Sequence, residues 1–286
     1  MEAVTRTPLV SVVTPVYNGE KYIEELIQSV LNQDYTPIEH IIIDDGSTDG
    51  TVDILKKYPH LHWWSRENKG QYATMNEGLA VAKGEIVSFI SADDMYITPD
   101  AFTSVVGYWR LHPDAKIVYG TRSYVDEQGN YLPVQYSIRR GPLWLYGYTG
   151  FISHSSMFLS RKFLLDNELF FDEALHFNGD LDWILRLINI HKKANKNVMQ
   201  FFNFDLSLIR HHNQRATVQF TSRIIVERRK VFERYGISFG LYEIITFITR
   251  WVSLFQKGTY TLQVKGLQGL MDTWREWRFR QGRGIV

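Results

Sequence analysis

The sequence predicts an α/β domain built on a mostly parallel sheet that is flanked by helices. Short β-branched runs alternate with apolar residues at helical spacing over the first 126 residues, which is typical of right-handed βαβ units. The chain has 286 residues, 44% of them hydrophobic, so it can bury a sizeable core. Its longest apolar region, Leu241 to Phe255, contains Glu243 and Arg250 and is shorter than the roughly 20 residues that a membrane span needs.

The first half of the chain supplies most of the predicted sheet. The Val-rich run Leu9 to Val16 predicts the first strand, and apolar residues from Tyr22 to Leu31 recur with the period of a helix. Further strands are predicted at Glu39 to Ile43, at His62 to Ser65, at Glu85 to Ile90 and from Lys116, and further helices at Thr51 to Tyr58 and Tyr72 to Ala82. Ligands of such sheets bind outside the carboxyl ends of the strands.

The second half has weaker patterns. Residues 130–150 are rich in glycine, proline and aromatic side chains and show no clear period. Beyond them we predict a strand at Ser153 to Leu159, a helix at Leu181 to Ile190, a late strand at Gln200 to Arg210 and a charged helix at Thr217 to Tyr235. We expect residues 1–235 to form one domain, followed by a helical C-terminal extension over residues 236–286.

Composition excludes several classes of protein. The net charge of +1 offers no bulk field for nucleic acid. Without cysteine, the chain has neither disulfides nor thiolate metal sites, so a metal would need oxygen or imidazole ligands. The first eight residues lack the apolar stretch of a signal peptide, and we expect a cytoplasmic location. Neither the dinucleotide fingerprint G-x-G-x-x-G nor the P-loop motif is present.

Acidic side chains occur at three points beside apolar runs. They are Asp44-Asp45 after Ile41 to Ile43, Asp93-Asp94 after the run that ends at Ile90, and Asp180 with Asp182 at the Leu181 helix. Crowded carboxylates raise one another's pKa, so a positive partner is expected. Mg²⁺ or Mn²⁺ bound by one or two carboxylates together with phosphates would supply that charge.

Each acidic point also has a simpler interpretation. Asp-Gly is a common turn dipeptide, so Asp44 or Asp45 alone is typical of a turn. The Asp93-Asp94 pair could merely cap the following segment, and for Asp182 we favour an N-cap of its helix. The combination points to chemistry more strongly than any single member, because two aspartate pairs follow two strands of one predicted sheet.

The motifs resemble the family 2 glycosyltransferases of the GT-A fold. The resemblance is dense from Leu9 to Tyr96, through SVVTPVYNGEKYIEELIQSVLNQDY, EHIIIDDGSTDGT and ENKGQYATMNEGLAVAKGEIVSFISADD. It resumes more loosely at Phe171 to Leu187, FDEALHFNGDLDWILRL. It implies a GT-A-type catalytic domain over residues 1–235, with a nucleotide-sugar half at about 1–126 and an acceptor half at about 127–235.

The resemblance assigns roles to individual residues. The nucleotide-sugar would be bound by Thr14, Pro15, Tyr17, Asn18, Asp45, by the segment Asn68, Lys69, Gly70 and Gln71, and by Asp93. Within that set Asp45 would hydrogen-bond the base and Asp93 would lie nearer the ribose. Asp94, with Asp93, would bind Mg²⁺ or Mn²⁺. Asp180 would be the general base that takes a proton from an acceptor hydroxyl in an inverting transfer.

This sequence departs from the family pattern at two positions. Ser91 stands where the metal motif often begins with Asp, which removes one acidic group. Gly179 precedes the expected base where the family often has Glu. The Gln-x-x-Arg-Trp motif of processive polysaccharide synthases is absent, which favours addition of a single sugar.

Several other residues are candidates for diphosphate or acceptor contacts. Lys69, Arg210, His211 and His212 could add charge or ligands beside the diphosphate, although a lone histidine is more often a packing residue. An aromatic cluster at Trp144, Tyr146, Tyr148 and Phe151, together with His154, could meet the acceptor sugar, although such clusters are more often core.

The C-terminal segment has two interpretations. From Leu241 onward there are seven Lys or Arg and three Asp or Glu, with Trp274 and Trp277 among the arginines. These residues could form helices on the catalytic domain, or dock peripherally on an anionic membrane at its cytoplasmic face. We lean to membrane docking, because acceptors in the family are often lipid-linked. The expected partners are thus a nucleoside-diphosphate-sugar, a glycan or lipid-linked acceptor and a membrane surface, with no nucleic acid.

Two other functions compete with sugar transfer. A sugar-nucleotide nucleotidyltransferase would share the fold and the acidic site, but it would carry a Gly-rich basic loop after the first strand, and Val12 to Gly19 has one glycine and no basic residue. A catalytically inactive carbohydrate- or nucleotide-binding relative is the other alternative, favoured by Ser91 and Gly179.

Overall fold

A computed structural model of the chain describes residues 7–132, 152–194, 198–213, 215 and 219–244. The described strands are β1 Val10–Val16, β2 Ile38–Asp44, β3 His62–Ser65, β4 Ile86–Phe89, β5 Met95–Tyr96, β6 Ile117–Val125, β7 Met157–Ser160 and β8 Met199–Arg210. The helices are α1 Ile23–Leu31, α2 Thr51–Leu55, α3 Gln71–Val81, α4 Ala101–Leu111, α5 Arg161–Asp166, α6 Gly179–Ala194 and α7 Thr221–Arg234.

One eight-stranded sheet organises the molecule, with the strand order β3-β2-β1-β4-β7-β6-β8-β5. The pairs β3-β2, β2-β1, β1-β4 and β6-β8 are parallel, whereas β7 and β5 pair antiparallel with their neighbours. The prediction of a mostly parallel sheet flanked by helices is therefore confirmed. The strand order also places β2 and β4 on either side of β1, so their carboxyl ends lie along one edge.

The centre of the sheet is buried on both faces, which explains why β1 reads as an unbroken apolar run. All seven residues of β1 are buried. Alternate residues face opposite layers: Val13 belongs to the core layer that contains α3 and α6, and Val12 belongs to the layer that contains α1 and α4. A strand sandwiched in this way is stiff, and the turn that follows it is held in a defined position.

Several element boundaries differ from the predicted ones. Helix α4 was not predicted, although its apolar residues Phe102, Val105 and Val106 are buried at helical spacing. The predicted strand at Ser153 to Leu159 begins instead with a 3₁₀ turn at His154–Ser156, and only Met157–Ser160 is strand. Polar side chains at 154–156 bond to neighbouring elements, and this tertiary pairing overrides the strand propensity of the segment.

The chain separates into two compact units, Met1–Ile237 and Ser238–Val286. Of the second unit, residues 238–244 belong to the described part, and the helical extension expected over residues 236–286 lies outside it from residue 245 onward. Within the described residues, no helix combines the length and apolar character needed to cross a bilayer.

Candidate active site

Asp44 and Asp45 follow β2 and serve different purposes. Asp44 is fully buried and accepts hydrogen bonds from the Ser47 backbone N–H at 3.2 Å and the Ser65 hydroxyl at 2.5 Å. Those bonds close the Asp-Asp-Gly-Ser turn, where Gly46 has a φ of 81°. Asp44 is thus the turn residue that its dipeptide predicts.

Asp45 holds the loop that precedes α3. Its carboxylate accepts the backbone N–H groups of Lys69 and Gly70, each at 2.9 Å, and is paired with the Arg66 guanidinium. The carboxylate is nearly buried, while Asn68 and Lys69 are exposed. We call Asp45, Arg66 and residues 68–70 the Asp45 loop network. It places exposed amide and ammonium groups beside the end of β1.

The residues at the end of β1 divide into interior and surface positions. Thr14 and Pro15 are buried, and the Thr14 hydroxyl lies 3.2 Å from Nε2 of the buried His40. The Tyr17 side chain is 55% exposed, and Asn18 accepts the Thr48 backbone N–H at 2.8 Å. The structure therefore presents the Tyr17 ring to a ligand and keeps the Thr14 side chain in the core.

Asp93 and Asp94 follow β4, and both contact the guanidinium of Arg215. Asp93 Oδ2 lies 2.9 Å from His212 Nε2 and 3.3 Å from Arg215 Nε. Asp94 Oδ1 lies 3.4 Å from Arg215 Nη2, and its Oδ2 accepts the Ser155 hydroxyl at 3.0 Å. We call these five side chains the acidic cluster.

The two carboxyls of the acidic cluster have opposite pKa shifts. Burial raises the pKa of Asp94 to about 6, with repulsion from Asp93 adding to the effect and the charge of Arg215 opposing it. Burial also acts to raise the pKa of Asp93, but the hydrogen bond with His212 and the charge of Arg215 bring it below its ordinary value. One guanidinium faces two carboxyls, so the positive charge at the cluster is incomplete.

The donor chemistry of the acidic cluster fits a divalent cation. Asp93 and His212 offer an oxygen and a nitrogen ligand 2.9 Å apart, and Asp94 adds a second carboxylate nearby. No group of three or more acidic or histidine side chains is arranged for metal binding in the part of the chain that is described. A cation bound at Asp93 and Asp94 would draw its other ligands from a bound phosphate and water, as Mg²⁺ often does.

Asp180 lies in the first turn of α6, with its side chain 37% exposed. Its Oδ1 accepts the Leu181 backbone N–H at 2.8 Å and lies 3.4 Å from the Tyr72 hydroxyl, and its Oδ2 lies 3.8 Å from His154 Nδ1. Burial acts to raise the pKa of Asp180, but the interactions with His154 bring it below its ordinary value. The carboxylate is therefore ionised at neutral pH and can accept a proton.

Comparison with known proteins identifies the family. The model of glycosyl transferase family 2 matches residues 11–167, which is more than half of the chain. The chain belongs to glycosyl transferase family 2. It has the GT-A fold, as the motifs predicted.

One relative of this chain is named as a synthase of a polysaccharide, chondroitin. The chain is 31% identical over 195 residues to chondroitin synthase of Escherichia coli, a match that covers 65% of this chain and 27% of that protein. The chain thus spans about a quarter of the length of that relative.

Two solved structures share the fold. The S. aureus TarS 1-349 complex with UDP-GlcNAc has a TM-score of 0.63 and 23% identity, over 78% of this chain and 65% of that 1-349 chain. The Pyrobaculum calidifontis mannosyltransferase PcManGT, in complex with GDP-Man and Mn²⁺, has a TM-score of 0.57 and 17% identity, over 97% of this chain and 81% of that one.

Tyr72 explains the glycine in front of the expected base of the glycosyltransferase. A Cβ at Gly179 would lie 2.6 Å from Tyr72 Cε2 and 2.8 Å from Cζ, closer than side-chain atoms approach. The Tyr72 ring is itself held by stacking on Phe171, with the ring centres 5.6 Å apart. The ring thus fills the space that a side chain at position 179 would need, and its hydroxyl faces Asp180.

Asp182 is not the N-cap that its position predicted. Helix α6 begins at Gly179, so Asp182 lies within the first turn. Its buried carboxylate pairs with Arg186 at 3.0 Å and Arg234 at 2.7 Å and accepts the Tyr235 hydroxyl at 2.9 Å. The cap prediction was wrong because the helix already begins at Gly179, and two partners of Asp182, Arg234 and Tyr235, lie at the end of α7, far away in the sequence.

Glu227 of α7 fixes the segment that leads into α6. Its carboxylate accepts three consecutive backbone N–H groups, those of His176 at 2.9 Å, Phe177 at 2.8 Å and Asn178 at 2.6 Å. Sequence reasoning missed this anchor, because a glutamate on a charged helix is typical of a solvated face. The segment that leads to Asp180 is therefore held by both α3 and α7.

The side chains of Arg210 and His211 pack against groups other than Asp93 and Asp94. The buried Arg210 guanidinium pairs with Glu25 at 2.5 Å and lies 4.8 Å from the centre of the Tyr22 ring, whereas its backbone N–H donates to Asp94 at 3.3 Å. His211 is exposed and lies against Tyr124. The side chain of Arg210 is therefore committed elsewhere, and a diphosphate contact for it has no support in this geometry.

Arg215 is the basic residue that sequence reasoning missed. It lies five positions beyond the end of β8 and contacts both Asp93 and Asp94. The run Arg210, His211, His212 drew attention to the strand end, but the Arg210 side chain is buried against Glu25 and Tyr22. Residues beyond the strand contact the carboxylates instead. His154 and His212 were predicted candidates, and both lie beside site carboxylates. Trp144 and its aromatic neighbours 146, 148 and 151 lie outside the described residues.

Proposed function

We propose that this glycosyltransferase moves one sugar from a nucleoside-diphosphate-sugar to an acceptor hydroxyl with inversion, during the assembly of a polysaccharide, glycolipid or glycoprotein glycan. The observation that carries the proposal is the placement of Asp180. It is an ionised, partly exposed carboxylate, linked through His154 to the turn that bears the acidic cluster. A base beside a phosphate-binding site is what attack by a hydroxyl on an anomeric carbon requires.

Residues of this chain divide the work. Tyr17 and the Asp45 loop network face the nucleotide, with the exposed Tyr17 ring available to stack on the base. Asp93 and Asp94 would hold Mg²⁺ or Mn²⁺, which when bound neutralises the charge of the departing diphosphate. Asp180 accepts the proton of the attacking hydroxyl, and Arg215 adds positive charge at the same carboxylates. The relatives crystallised with UDP-GlcNAc and with GDP-Man and Mn²⁺ support this choice of ligand class.

The first experiment identifies the donor. Thermal shifts are measured with UDP-, GDP-, dTDP- and CDP-sugars, each with and without Mn²⁺, because a ligand that binds the folded state raises the melting temperature by mass action. We expect one nucleotide to raise it and Mn²⁺ to enlarge the shift. The absence of a shift with every donor would count against a nucleotide-sugar enzyme.

The second experiment tests the base. Asp180→Asn should lower donor turnover by about 10²- to 10⁴-fold and leave nucleotide affinity unchanged, because only proton transfer is lost. Asp166→Asn is the matched control, since Asp166 is exposed on α5 and pairs with Lys162. Full turnover in Asp180→Asn would reject the base assignment. Nucleotide binding without turnover in the wild-type chain would favour the inactive relative.

Metal dependence is tested separately. EDTA should remove turnover and Mn²⁺ or Mg²⁺ should restore it, and Asp94→Asn should raise the metal concentration needed for half-maximal turnover. Undiminished turnover after exhaustive chelation would show that the basic residues neutralise the diphosphate by themselves.

Membrane docking through residues 236–286 is a further part of the proposal. It predicts co-sedimentation with vesicles that contain anionic lipid, and no co-sedimentation with neutral vesicles. Equal recovery with both kinds of vesicle would leave the segment as a helical extension of the catalytic domain.

A further inference from the structure

A short polar segment lies between the expected base and the acidic cluster. His154 Nδ1 faces Asp180 Oδ2 at 3.8 Å, and its Nε2 lies 3.3 Å from the Ser91 hydroxyl oxygen. The next residue, Ser155, donates its hydroxyl to Asp94 at 3.0 Å. We call His154 and Ser155 the bridge. One dipeptide thus faces Asp180 on one side and contacts Ser91 and Asp94 on the other. Ser91 and Asp94 are the first and last residues of the turn after β4, which we call the Ser91 turn.

The bridge is held by its own surroundings. It forms a 3₁₀ turn, closed by the bond from the Ser156 backbone N–H to the Ser153 carbonyl at 3.0 Å. The Ser156 hydroxyl is 2.6 Å from that of Ser207 on β8, and β7 begins at the next residue. His154 is 9% exposed, so its ring has little freedom to change orientation.

The two ring nitrogens of His154 suit different tasks. Among the described residues Nδ1 has no hydrogen-bond partner, although it is buried and directed at Asp180. If Nε2 accepts the Ser91 hydroxyl, the neutral ring carries its proton on Nδ1, where it faces the carboxylate. The Ser91 hydroxyl can donate that bond. The hydroxyl of Ser91 and the orientation of the His154 ring therefore belong together.

We propose that His154 is a positioning residue, which orients the Asp180 carboxylate and couples it to the Ser91 turn of the acidic cluster. The inference rests on the proposed function, because it gives Asp180 the task of accepting the acceptor proton. His154 touches neither donor nor acceptor in this role. It acts by limiting the directions that Asp180 can take, and a small misplacement of a reacting group is enough to slow a reaction greatly.

Other groups that face Asp180 leave this task to His154. Tyr72 of α3 is buried, and burial raises its pKa, so its hydroxyl stays protonated. Its oxygen lies 3.4 Å from Oδ1, the oxygen that already accepts the Leu181 N–H. Arg228 of α7 contributes positive charge and donates to Asn178 at 3.1 Å. His154 is the described side chain that faces Oδ2.

Amide substitutions separate the two contacts of the ring. His154→Asn places an amide near Nδ1 and keeps a donor for Asp180, whereas His154→Gln places it near Nε2 and keeps the link to Ser91. We expect kcat to fall by about 10- to 100-fold in His154→Gln and by less in His154→Asn. KM for the donor should stay unchanged in both. His60→Asn is the matched control, because the His60 side chain is exposed and lies beside Tyr58.

Two further measurements decide between the possible failures. Turnover is measured with the nucleotide-sugar found in the thermal screen, with UDP-GlcNAc and GDP-mannose as the first probes. Turnover that is lost in Asp180→Asn but unchanged in His154→Gln would overturn the positioning role and leave the proposed function intact. A donor KM that rises in proportion to any loss would likewise reject it, because the bridge would then serve binding.

A spectroscopic readout remains if the wild-type chain turns over no donor. In histidine labelled with ¹⁵N, the His154 ring should show the tautomer protonated on Nδ1. Its nitrogen shifts should move in Asp180→Asn and in Ser91→Ala and stay in His60→Asn. Nitrogen shifts that stay unchanged in both Asp180→Asn and Ser91→Ala would overturn the positioning role of His154 independently of activity.

Discussion

The Asp45 loop network and the acidic cluster are built from the same kind of residue, an aspartate after a buried strand, but their charges are balanced differently. Asp45 meets a guanidinium and two backbone N–H groups, so its own chain satisfies it. Asp94 shares one guanidinium with Asp93, and its pKa is raised to about 6 by burial. The comparison teaches that the charge of Asp45 is balanced within its own loop, whereas two carboxyls of the acidic cluster share one guanidinium, which is why the proposed cation is assigned to the cluster.

Removing Asp45 should have the largest effect on stability. Asp45→Ala leaves Arg66 and two loop N–H groups without their acceptor, and breaking a buried pair from one side costs about 3 kcal/mol or more. Urea unfolding should show a lower midpoint with an unchanged m value. A wild-type midpoint would mean that Asp45 contributes to binding and little to the fold.

Asp94→Asn should change stability in the opposite direction. The folded-state pKa of Asp94 is raised, so its ionisation opposes folding as the pH rises from about 4 through 6. We expect the variant to be more stable than wild type by about 2 kcal/mol at pH 7.5 and equal to it near pH 4. A destabilised variant at pH 7.5 would show that Arg215 already balances the cluster.

Gly179→Ala tests whether Asp180 depends on fit as well as charge. The new methyl would meet the buried Tyr72 ring at 2.6 Å, and overpacking of this kind costs about 1–3 kcal/mol. The free energy of unfolding and kcat should both fall. Combining it with Tyr72→Leu should recover stability but not kcat, because the hydroxyl beside Asp180 is then missing. Recovery of both quantities would assign Tyr72 a packing role alone.

His40 should give the smallest effect and tests the interior behind the Asp45 loop network. Burial lowers the pKa of His40 to about 3 in the folded state. As the pH falls below 6.5, His40 therefore binds a proton in the unfolded chain but not in the folded one. This group then contributes stability above pH 6.5 and loses about 1 kcal/mol of it by pH 5.5. Stability curves of wild type and His40→Asn should converge toward acid. Parallel curves would mean that His40 titrates normally.

Sequence reasoning predicted the strands β1 to β4 and the acidic turns after β2 and β4, because a buried strand between helices requires an unbroken apolar run. It missed α4, and it read His154–Ser156 as strand, because the partners of those residues come from other elements. It identified Asp180 through the family motif. It did not predict that the Tyr72 ring excludes a side chain at position 179, because a helical apolar pattern does not say which residue it packs against.

The sequence by itself determined the fold, the family and the identity of the carboxylates, since periodicity and motif spacing are local properties of the chain. The tertiary structure decided how those carboxylates are balanced. Asp45 is closed by Arg66, Asp94 remains short of positive charge beside Arg215, and Asp180 is faced by His154. The charge balance depends on pairs such as Asp94 and Arg215, which are more than a hundred positions apart in the sequence. Only the folded sheet brings such residues within reach of one another.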